Sequence, residues 1–97
     1  MNGQDINITE SSGNVFMDLG FDAAEAAVMK LRAEVMIRTA QHLKEQGWTQ
    51  AEAARHLGIT QPRVSRLIKG KVEDFSLDML LTLAARAGLR PALQLLT

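Results

Sequence analysis

The chain has no cysteine, two prolines in 97 residues and only 4% aromatic residues. Without cysteine there is neither a disulfide framework nor a thiolate metal site, and the absence fits a reducing cytoplasm. No apolar run approaches the ~20 residues of a membrane span. The opening MNGQDINITESSG shows no charged-then-apolar secretion signal. A soluble, cytoplasmic protein with no membrane partner is expected. Catalytic constellations are equally scarce. His42 and His56 have no metal-spaced histidine and no obvious carboxylate partner. Ser11, Ser12, Ser65 and Ser76 lack a triad-like context, and there is no Gly-rich phosphate loop. Neither an enzyme nor a metal or cofactor site is expected.

Net charge is also missing, since eleven basic residues balance eleven acidic ones. The balance hides an uneven distribution. Residues 1–37 hold two basic residues against six acidic, net −4. Residues 38–71 hold seven basic against two acidic, net +5, and residues 72–97 two basic against three acidic, net −1. A basic block between acidic flanks is the footprint of a nucleic-acid reader whose non-specific phosphate binding is kept weak.

Within that block, residues 49–70 read TQAEAARHLGITQPRVSRLIKG. Thr49 is an N-cap for a short helix from Gln50 to Leu57, and Gly58 permits a tight turn. Thr60 caps a second helix over residues 61–69, which Gly70 ends. Pro62 falls in its first turn, where the missing N–H has no helical partner, although it biases Gln61 away from helical torsions. Ala53, Leu57, Ile59, Val64, Leu67 and Ile68 form the expected shared core, and Ala54 is small where the backbones approach. Two such helices make a helix-turn-helix, whose second helix enters the major groove.

The polar residues suit that use. Gln61, Pro62, Arg63 and Arg66 are the candidates for base contacts. Arg63 and Arg66 can bond guanine bidentately, and Gln61 can do so to adenine. Thr49, Gln50 and Thr60 are placed to clamp phosphates through side chains and helix N-terminal amides. Ser65, Lys69 and Lys71 are candidates for the flanking backbone, whereas Glu73 and Asp74 would repel phosphate. Trp48 reads as a seal at the corner of two helices rather than a base-stacking platform, and His56 as a solvated side chain.

Gln50, Ala54, Gly58, Ile59 and Val64 resemble the helix-turn-helix of the phage-repressor-like Xre superfamily. The run Thr60-Gln61-Pro62-Arg63-Val64-Ser65, then Gly70-Lys71 and Phe75-Ser76-Leu77-Asp78, looks like small antitoxins of the HigA kind and related stand-alone regulators. Val15-Phe16-Met17-Asp18-Leu19-Gly20-Phe21 fits the same group. The resemblance covers residues 12–97. It implies a homodimeric repressor of a palindromic operator. As an antitoxin, the protein would also mask an mRNA-cleaving toxin, through residues 1–37, and repress its own operon. A regulator without a toxin, or an interaction module without DNA, are the alternatives.

The remaining elements complete an all-α, lambda-repressor-like expectation. Residues 1–14 read as a flexible segment with a faint alternation at Ile6 and Ile8, and residues 15–97 as one domain. Phe21 is a possible hydrophobic staple before the Asp22 cap. A long helix follows from Ala23 to Gln46, with stripes Val28, Leu31, Val35 and Met36, Ala40, Leu43, and Met29 and Met36 suit core or interface. A last helix spans residues 77–87, with Leu77, Leu80, Leu81 and Ala84 facing inward. The ending LRPALQLLT alternates with period two. It predicts a short C-terminal strand that pairs with residues 6–8 or with the same tail of a second subunit.

Overall fold

The computed structural model describes residues 15–97, and these are all-helical. The order is α1 (Val15–Asp18), α2 (Ala23–Gln46), α3 (Gln50–Leu57), α4 (Gln61–Ile68), a 3-10 turn (Val72–Asp74) and α5 (Leu77–Arg86). The chain divides into two compact units, Met1–Lys30 and Leu31–Thr97. The expected flexible segment and the alternation at Ile6 and Ile8 lie outside the described residues. No described helix is long and apolar enough to cross a membrane.

In the first unit, Phe16 and Phe21 meet edge to face, with centroids 6.3 Å apart at 75°. Phe21 N–H donates to the Phe16 carbonyl at 3.2 Å, closing the turn out of α1. α2 begins with a reciprocal cap. Glu25 N–H donates to Asp22 Oδ1 at 2.7 Å, and Asp22 N–H to Glu25 Oε1 at 3.0 Å. Ala26 and Met29 are buried on this stretch, while Val28 is 44% exposed.

In the second unit, α2 contributes Met36, Thr39 and Leu43 to the interior. The buried positions 36, 39 and 43 keep the three-and-four spacing of one helical face; of the other expected stripe, Val35 packs against the core and Leu31 is half-buried, while Val28 is exposed. Thr39 is the buried polar residue, and its hydroxyl donates to the Val35 carbonyl at 2.7 Å. The core joins Met36 and Leu43 to Ala53, Leu57, Val64, Leu67, Phe75, Leu80, Leu83 and Ala87. Ile59 packs against it, but Ile68, expected inside, is 47% exposed. α5 turns Leu80, Leu83 and Ala84 inward, leaving Leu77 and Leu81 half-buried.

The expected C-terminal strand does not form. Residues 89–97 carry no regular secondary structure, and no strand occurs among the described residues. Leu89 N–H donates back to the Ala84 carbonyl at 3.0 Å beyond Gly88, whose φ of 98° ends α5. Leu89, Arg90, Pro91 and Ala92 then line a groove with Val35, Arg38 and Thr39 of α2 and Ala84 of α5. Leu93, Leu95 and Leu96 point to solvent. Alternation alone cannot make a strand where a helical body offers no edge to pair with.

Candidate nucleic-acid interface

α3 and α4 are positioned by their caps and by the turn between them. Thr49 and Glu52 form a full capping box. Glu52 N–H donates to Thr49 Oγ1 at 3.1 Å, and Thr49 N–H to Glu52 Oε1 at 2.8 Å. That backbone N–H, and then the Thr49 side chain, hold the Glu52 pKa below the usual carboxylate range; Arg55 and His56 act in the same direction. At the other end of α3, Gly58 takes a left-handed backbone at φ 70°, ψ 31°. Gly58 and Ile59 N–H groups both donate to the Ala54 carbonyl, at 2.8 and 3.1 Å. α4 starts at Gln61 with Pro62 in its first turn, as expected. Thr60 occupies the N-cap with an extended backbone, but its side chain makes no capping bond.

The orientation of α4 follows from its buried pair. At about 100° per residue, Arg66 lies about 130° from the centre of the Val64–Leu67 stripe, and Arg63 about 70° from it. Arg66 is accordingly exposed, and Arg63 half-buried. The Arg63 guanidinium carbon lies 4.5 Å from the centroid of the Phe75 ring. Arg66 Nη1 lies 3.7 Å from Asp74 Oδ2. Gln61, Pro62 and Lys69 are exposed, and Ser65 is half-buried. Thr49, Gln50, Thr60 and Lys71 are exposed as well. Lys71 is turned by Gly70, at φ 79°, and its N–H donates to the Arg66 carbonyl at 3.0 Å.

Thr49 and Gln50 share one groove with Lys44 of α2 and Ile68 of α4. Lys44 also lines a neighbouring groove with Gly70. It therefore belongs with the phosphate-facing candidates, although α2 showed no binding motif. Arg86 is a second residue that sequence reasoning missed. Its Nη1 donates to the Leu57 carbonyl at 2.9 Å, capping the C-terminus of α3 from α5. The pairing spans 29 residues, so no local pattern announces it. Trp48 packs against the core as a corner residue and stacks on His56, with centroids 3.8 Å apart at 5°. His56 is thus exposed, yet held. His42, which showed no obvious partner in sequence, has Nε2 2.9 Å from the Ala87 carbonyl and Nδ1 3.8 Å from Glu45 Oε1.

This arrangement presents guanidinium, amide and ammonium groups along one short rod, with uncommitted donors at its start. It suits contact with base edges and phosphates. The model of a family described as a helix-turn-helix domain matches residues 15–94. No curated protein matches the chain.

Proposed function

The chain belongs to this helix-turn-helix family, a DNA-binding class, and from that premise we propose that it is a sequence-specific transcriptional repressor acting as a homodimer on a palindromic operator. The observation that carries the reading is α4. Val64 and Leu67 lock it down, while Gln61, Pro62, Arg66 and Lys69 stay open to solvent. Gln61, Pro62, Arg63 and Arg66 meet base edges. Thr49, Gln50, Thr60, Ser65, Lys69 and Lys71 hold the backbone. Two protomers place their α4 helices in successive major grooves about 34 Å apart.

Gel shifts at two salt concentrations, on duplexes selected from a randomised pool, test the proposal. Specific binding persists at the higher salt, and Arg66→Ala loses about 1–3 kcal/mol and relaxes one base position. Equal binding by wild type and Arg66→Ala removes the assignment. No shift at either salt leaves an interaction module.

The likeness of residues 60–65 and 75–78 to small antitoxins extends the proposal to a toxin partner. A toxin that cleaves mRNA has to bind phosphate and so carries a basic surface, which the net −4 of residues 1–37 complements. Co-expression with the product of the neighbouring gene, followed by a pull-down, tests this. Absence of a complex leaves a stand-alone regulator.

A further inference from the structure

Two consecutive residues after α4 hold both of its arginines. Asp74 meets Arg66 at 3.7 Å, and Phe75 carries the Arg63 guanidinium on its ring at 4.5 Å. We propose that Asp74 is a positioning residue for base selectivity: its carboxylate orients Arg66 for guanine and discourages Arg66 from settling on a phosphate. The inference rests on the proposed DNA reading of α4.

The placement of Asp74 is built in. Lys71 N–H bonds the Arg66 carbonyl at 3.0 Å, and Asp74 N–H bonds the Lys71 carbonyl at 3.0 Å. Asp74 is therefore tied through two backbone bonds to the residue it faces. On its other side Phe75, 2% exposed, anchors the turn in the core. The ion pair itself adds little to stability, because its side chains are 59% and 37% exposed. Its effect lies in orientation. Guanine is read by two parallel N–H groups, and a guanidinium has five in a rigid fork. A carboxylate at one nitrogen leaves others to face the base and reduces the side-chain freedom lost on binding. The same negative charge penalises a neighbouring phosphate, so Asp74 weakens contacts that carry no sequence information.

This dual role has a signature that a structural role lacks. Duplexes selected by the wild-type chain from a randomised pool serve as the specific probe, and a scrambled duplex as the non-specific one. Asp74→Asn is expected to bind the selected duplex about three- to tenfold more weakly, a fraction of what a bidentate Arg–guanine pair supplies. It binds the scrambled duplex as well as wild type or better, and its thermal unfolding is unchanged. Retained selectivity in Asp74→Asn, or equal gains on both duplexes, overturns the inference and leaves Asp74 as a screening charge. A wild-type chain with no duplex preference overturns the DNA reading, and this inference with it.

Discussion

Arg86 and Gly58 depend on each other across the turn between α3 and α4. The Arg86 guanidinium reaches the Leu57 carbonyl at 2.9 Å. A Cβ at Gly58 would stand 3.1 Å from Arg86 Nη1, on a backbone at φ +70°. Gly58→Ala therefore suffers both left-handed strain and crowding, and should destabilise by about 1–2 kcal/mol. Arg86→Ala should cost about 1–3 kcal/mol, because a part-buried carbonyl loses a charged donor. The two effects are coupled, since removing the guanidinium relieves the crowding. Urea unfolding of the double variant should show a loss smaller than the sum. Strictly additive losses would mean that Arg86 does not confine Gly58. The candidate site was partly legible at this scale. The spacing of Arg63 and Arg66 from Val64 and Leu67 contains the half-burial of one and the exposure of the other. Phe75 and Asp74 were not legible as their partners, nor Arg86 as the partner of Leu57, because those contacts depend on how the chain returns after α4.

Helix boundaries were the most readable elements, because short-range chemistry sets them. Asp22 and Thr49 cap where expected, Thr60 holds its N-cap position without a side-chain bond, Ser76 caps α5, and Gly47, Gly58 and Gly88 turn the chain with φ of 71°, 70° and 98°. The Thr49–Glu52 box at the head of α3 can be tested by pH. Its folded state lowers the Glu52 pKa, chiefly through the Thr49 N–H. The unfolded chain therefore takes up the proton first as pH falls. The contribution of Glu52 is complete above the usual carboxylate range and vanishes as pH drops through the folded-state value. In thermal melts, the gap between wild type and Glu52→Ala should hold from neutral pH to about pH 5 and close below it. A gap that widens in acid would contradict the capping role. Faces were less readable than ends. Val28 and Ile68 occupy plausible apolar positions yet lie exposed, because several apolar positions on one helix compete to face the core. The tail failed for a different reason. Period two in LRPALQLLT matches a strand, but a strand requires an edge, and nearby α2 and α5 offer only helical faces.

For the whole molecule, zero net charge and a local excess of +5 over residues 38–71 have opposite consequences for DNA. Far from the duplex, the neutral chain is drawn weakly; at contact, the basic block displaces counterions. Some of those cations are already engaged. Arg38 lies 3.8 Å from Glu45, and Arg66 3.7 Å from Asp74. Lys69 is exposed at the end of α4. On the proposed reading it contacts phosphate without reading a base, so Lys69→Ala should weaken selected and scrambled duplexes alike. The size of its effect on salt dependence also counts protomers. Each phosphate contact contributes about 0.9 to the slope of log K against log salt. One bound protomer therefore loses about 0.9 from the slope, while a homodimer on two half-sites loses about 1.8. Titrations of wild type and Lys69→Ala across a salt series measure the difference. The proposed dimer predicts the larger value on the selected duplex. A change near the smaller value would mean that one chain binds alone, and an unchanged slope would take Lys69 off the phosphate backbone.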